Sequence, residues 1–182
     1  MRSFLLFTAI LFISMSTAFA GVCSLSDIEE YTLLSMPFNN FDQTESGWRK
    51  YAESGCYHET GILIEKYIEQ HKSDLANWQR IALSWHAGQM YAFNNEYQIA
   101  KKMFEDSINL NLQETEISPI LWNEYVNASI AFLDKDMSKL KMYRERIANG
   151  PDLNGKKANL DVVDNLIKYF DEPYSLAYRA KD

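Results

Sequence analysis

Three turn signals recur at one fixed interval. Gly55-Cys56-Tyr57, Asn95-Glu96-Tyr97 and Lys135-Asp136-Met137 follow one another at 40-residue steps with no adjustment of gaps. The flanking residues hold the same register. Trp48, Gly88 and Ala128 precede the turns by seven, and Tyr51, Tyr91 and Ala131 by four. Beyond the turns, Thr60, Ala100 and Leu140 fall together, as do Ile64, Phe104 and Arg144. Between turns the apolar residues have helical spacing, so each interval predicts a pair of antiparallel helices. One such pair cannot bury its second face alone; pairs stack, and the shared face becomes the core. Two helices of a pair touch most closely through small residues, a part that Gly88 and Ala100 can play with Tyr91, Tyr97 and Phe104 around them.

The rest of the chain is also helical in pattern, with strand signals nearly missing. Ser26-Asp27-Ile28-Glu29 has the form of a capping box, predicting a helix from there to about Met36, where Pro37 stops it. The stretch PFNNFDQTESG reads as a loop. A helix over 57–71 follows, with Ile62, Leu63, Tyr67 and Ile68 on its apolar face, and Ser73-Asp74 caps a long helix reaching Phe93. Ser118-Pro119 opens another helix. Gly150-Pro151 closes the helix begun near Met137, the glycine taking the left-handed conformation. Leu160 to Phe170 is apolar-periodic, and a short terminal helix follows Pro173.

These residues resemble the tetratricopeptide repeat family. Gly88, Tyr91, Tyr97, Ala100, Phe104 and Ser107 match its pattern in order and spacing, with Tyr51, Gly55 and Tyr57 in the first unit and Ala128 and Ala131 in the third. Trp48 and Thr60 replace small residues in the first unit, and Arg144 replaces a large apolar one in the third. The family repeat is near 34 residues, so a 40-residue period requires longer helices or loops. The resemblance implies an all-α, helical-hairpin α-solenoid of about three units over 44–149, flanked by an N-terminal helix and loop over 21–43 and capping helices over 150–182.

Residues 1–20 carry Arg2, an apolar run and the small-residue end Ala18-Phe19-Ala20, the order of a secretory signal peptide. The run falls short of the roughly 20 residues needed to span a bilayer. An exported protein, periplasmic or secreted, with no stable membrane insertion after cleavage is expected. Cys23 and Cys56 then meet an oxidising compartment and predict a structural disulfide. The formal net charge is −7 and becomes more negative when Arg2 leaves, which argues against a nucleic-acid partner.

Motifs for chemistry are missing. His58, His71 and His86 lack metal-ligand spacing, and there is no phosphate loop, nucleophile elbow or Cys-x-x-Cys pair. No cofactor, metal or catalytic residue is therefore assigned, and an enzyme is not the reading favoured. First helices line the concave face in the repeats this chain resembles. That implies Gln89, Asn123 and Asn127 as amides for a peptide backbone, and Tyr125 as an aromatic anchor. The expected function is a protein- or peptide-binding adaptor, the alternative an inhibitor or immunity-type protein for a periplasmic or secreted enzyme. Whether the C-terminal segment fills the concave face stays open.

Overall fold

The computed structural model describes residues 23–110 and 120–180. The proposed leader over 1–20 and the Ser118-Pro119 helix start lie outside them. Among the described residues the regular structure is all α-helical, with one isolated bridge between Leu153 and Lys156 and no strand. No helix there is long and apolar enough to cross a membrane.

Helix α1 (Asp27–Leu34) begins as its sequence dictates: the Glu29 carboxylate accepts the Ser26 N–H at 3.0 Å and the Ser26 hydroxyl accepts the Glu29 N–H at 3.3 Å. The segment expected to be a loop instead contains α2 (Phe38–Asp42). The Pro37 carbonyl accepts the Asn40 and Phe41 N–H groups, and burial of Phe38 and Phe41 on one side decides the outcome. The Phe41 ring stacks on Tyr67 with centroids 3.9 Å apart. An irregular wide turn, Glu45–Arg49, leads into α3 (Lys50–Glu53).

Five longer helices follow: α4 (Tyr57–Gln70), α5 (Asn77–Phe93), α6 (Tyr97–Asp106), α7 (Trp122–Leu133) and α8 (Met137–Ala148). Helix α5 packs against α4 and α6, and α7 against α8. The three turns spaced by 40 residues share one backbone geometry. Gly55, Asn95 and Lys135 have φ of 82°, 64° and 55°. The next N–H groups, of Cys56, Glu96 and Asp136, donate to the carbonyls of Tyr51, Tyr91 and Ala131 at 3.1, 2.9 and 2.8 Å. Left-handed backbone is free for glycine and tolerated by asparagine, but lysine adopts it at a cost that the packed helices on either side must offset.

The matched positions Thr60, Ala100 and Leu140 are all buried, as are Ile64 and Phe104. Arg144 at the third of these latter places is instead paired with Asp164, Nε to Oδ1 at 2.8 Å. Asp164 lies on α9 (Leu160–Lys168), which lays Val163 and Leu166 into the core. The chain ends its described part with α10 (Tyr174–Arg179), whose Tyr174 and Ala177 are fully buried.

Three local expectations are corrected. Helix α5 starts at Asn77 and not after Ser73-Asp74, because the N–H groups of Asp74 and Leu75 finish the turn closing α4 on the His71 carbonyl, while the Gln79 side chain accepts the Ala76 N–H at 2.8 Å. Ile62 is exposed; the buried face of α4 is Thr60, Leu63, Ile64 and Tyr67. Gly150 is not left-handed, and what its position requires is space: a Cβ there would sit 2.4 Å from Leu121 Cδ1.

At Gly88 helices α5 and α6 come close together. A Cβ built on it would lie 2.5 Å from Phe104 Cδ1 and 3.2 Å from the Ala100 carbonyl oxygen. Gly88→Val is expected to lower stability by about 1–3 kcal/mol in urea unfolding through overpacking, and an unchanged midpoint would contradict this contact.

Cys23 and Cys56 form the expected disulfide, with Cα atoms 5.3 Å apart and a sequence separation of 33. It ties the segment just ahead of α1 to the first of the three turns. Loop closure of this length predicts a loss of about 3–4 kcal/mol when both cysteines are replaced by alanine, measured by denaturant unfolding beside the oxidised chain.

Candidate functional site

The four residues expected to meet a partner divide into two groups. On α7, the Asn123 side chain accepts the Asn109 N–H at 2.9 Å and donates to the Asn109 carbonyl at 3.1 Å, so both ends of its amide hold this chain's own backbone. Asn127 donates to the Asn123 carbonyl at 2.7 Å. Tyr125 is buried, its ring 4.8 Å from that of Trp85, and its hydroxyl donates to that of Tyr178 at 3.2 Å. Helix α10 thus covers this face: Tyr178 lies over Tyr125, and Tyr174 packs on Phe93, Phe104 and Phe132. Burial and the neighbouring Tyr178 and Tyr174 push the Tyr125 hydroxyl well above the ordinary tyrosine range.

Gln89, on α5, is placed differently. It lines an open cleft of about 430 Å³ between the wide turn, α3, α5 and α10. Only 8% of Gln89 is exposed, and its side chain has no hydrogen-bond partner among the described residues. The cleft walls are aromatic, from Trp48, Tyr57, Phe93 and Tyr178. The guanidinium groups of two arginines lie over them. The Arg49 guanidinium is 4.3 Å from the Trp48 ring centre while its Nε donates to the Asp42 carbonyl at 3.0 Å. Arg179 is 4.1 Å from the Phe93 ring centre and donates to the Tyr57 hydroxyl at 2.8 Å. Stacking of this kind restrains a guanidinium without neutralising it.

Behind the Trp48 wall sits Asp42, fully buried. Its Oδ1 accepts from the Trp48 indole at 2.9 Å and contacts His86 Nδ1 at 2.8 Å, and its Oδ2 accepts from Gln43. Burial raises the Asp42 pKa, but the hydrogen bond and charge of His86, the bond from Trp48 and the charge of Arg49 outweigh it and hold the carboxyl below its usual range. An Asp–His pair is half of an acid–base device. Here it fixes the indole of a wall residue and joins α2 to α5.

A second histidine contact links neighbouring turns. His58 Nδ1, on α4, is 2.9 Å from Glu96, the residue before α6. The hydrogen bond to Glu96 raises the His58 pKa above 6.5, with burial opposing and the charges of Glu96 and Glu59 adding to the rise. Tyr91, whose ring meets His58 edge-on, donates to the Glu65 carboxylate. With the folded pKa raised, the stabilisation is fully present below pH 6.5 and is lost as pH rises through the folded value. The His58 ring in an NMR titration is expected to show a midpoint above 6.5 that falls toward 6.5 in Glu96→Gln; a wild-type midpoint at or below 6.5 would contradict the pair.

Compared with models of protein families, with curated proteins and with solved structures, the chain has no match in any of the three. Its site is therefore read from its own residues. Arg49, Arg179 and Asp42 were not among the residues singled out from sequence. Arg49 stands four residues before Glu53, a helical spacing that was the available signal, while the backbone breaks at Gly47 and brings Glu45 to the cleft through an irregular turn. Arg179 is brought to the cleft only by the return of α10.

Proposed function

We propose that this chain is an exported, tetratricopeptide-like helix-pair protein that binds a peptide or a segment of another protein, and that the binding surface is the cleft at Gln89. The observation that carries the reading is the open, nearly buried amide of Gln89 among aromatic walls and two stacked arginines. An amide offers one acceptor and two donors, the complement of a peptide group. Water reaches this amide through the open cleft, and a bound peptide group can take over the hydrogen bonds that water makes there. The three identical turns support the helix-pair arrangement, and the disulfide supports an oxidising destination.

The α7 amides are not part of this proposed surface, because Asn123 and Asn127 already serve the chain itself and α10 covers Tyr125. The experiment is an affinity capture from the exported fraction with the disulfide-bonded chain lacking residues 1–20, beside Gln89→Ala/Arg179→Ala and Lys102→Ala/Lys141→Ala variants checked for native helicity. A protein retained by the wild type and the lysine variant and lost by the cleft variant is expected. Equal retention by all three would place the interface elsewhere.

A further inference from the structure

The charges at the rim of the cleft name a ligand chemistry. Glu45 and Glu53 line it together with Arg49 and Arg179. Arg49 and Glu53 stand one helical turn apart, but neither glutamate forms an ion pair with Arg49; the Arg49 charge acts instead on the buried Asp42 carboxylate, and Arg179 has no carboxylate partner among the described residues. Some cations of the chain are in ion pairs, Lys66 with Glu30, Lys101 with Asp134, Lys157 with Asp152 and Arg144 with Asp164, while others such as Arg80 and Lys141 are in none among the described residues; what marks the cleft arginines is how they are held. The two cleft arginines are instead drawn onto aromatic rings and held there by the Asp42 carbonyl and the Tyr57 hydroxyl.

Two ring-restrained cations, one of them also facing the buried Asp42, and two acids outside any ion pair among the described residues thus surround a nearly buried amide. A simple anion would satisfy the arginines and be repelled by the glutamates; a simple cation would meet the reverse. A molecule bearing both charges satisfies both pairs. The volume of about 430 Å³ falls within the roughly 300–1,000 Å³ of small-ligand sites, and the aromatic walls suit an apolar or aromatic side chain between the charges.

We infer that the cleft takes a zwitterionic peptide of two or three residues, its carboxylate on Arg49 and Arg179, its ammonium on Glu45 and Glu53, and a backbone amide on Gln89. This rests on the peptide-binding reading and makes it specific. The charges can come from the free ends of a short peptide or from side chains within a longer one, and the test separates these sources.

The disulfide-bonded chain, labelled with ¹⁵N, is titrated with four probes: Ala-Phe-Ala with free ends, its N-acetyl form, its C-amide form, and Lys-Phe-Glu capped at both ends. The Gln89 side-chain amide and the Trp48 indole N–H report binding. The expected result is that free Ala-Phe-Ala shifts both signals and that either single cap weakens it at least tenfold. Saturable shifts with capped Lys-Phe-Glu, weakened at least tenfold when its Lys or Glu is made neutral, would support the same chemistry and assign it to side chains. Arg179→Gln and Glu53→Gln, both at exposed positions, are each expected to weaken the binding zwitterion at least tenfold. No shift with any probe, or shifts that ignore the caps and both variants, would overturn the inference. Partner capture that depends on Gln89 would still stand in that case, so the two failures are distinguishable.

Discussion

Helix α5 has to be covered on nearly every side. Residues from Ala87 to Phe93 are buried without interruption, and Ile81, Leu83, Ser84 and Trp85 are buried before them. A helix buried all round is no amphipathic surface helix, and neighbours must supply what water cannot. Helices α4 and α6 flank it, and α10 covers part of what they leave. Gly88 allows α6 to come close enough that Phe104 fills the space where a side chain would stand. The aromatic contacts of Trp85 with Phe104, Trp122 and Tyr125 carry the same covering across to α7. The cleft exists where this cover stops, at Gln89.

The N-terminal segment depends on one buried carboxylate. Asp42 receives the indole of Trp48 and the ring of His86 and is fully excluded from water. A charge in such a place is stable only with its hydrogen bonds complete, and removing one partner leaves the remainder unsatisfied. The cleft wall therefore owes its position to a group that does not line the cleft. The disulfide acts on the same segment from the other end, holding Cys23 to the turn that begins α4.

Much of the helical order was legible because it is local or periodic. The Ser26–Glu29 cap, the turns at Gly55, Asn95 and Lys135, and the final helix after Pro173 all follow from signals a few residues long. Helix α2 was missed because its five residues are helical for a distant reason, the burial of Phe38 and Phe41 against the rest of the chain. The site was legible only in part. Gln89 could be picked out as an amide in an apolar helix, but the employment of Asn123 by Asn109 and the covering of Tyr125 by Tyr178 depend on long-range packing. Arg179 reaches Tyr57 across 122 positions of sequence, beyond any periodic pattern.

Arg144 stands where the two earlier turns are followed by Ile64 and Phe104, and it meets Asp164 and not an apolar neighbour. Stacked helix pairs carry a topological hazard: a final pair with an apolar outer face invites the first pair of another copy, and the process has no natural stop. A charged, bidentate contact at that position accepts a helix bearing a matching acid and rejects one bearing leucine or isoleucine. Here the chain covers α8 with a helix of its own, α9, and the residue that receives it is matched by charge and not by volume.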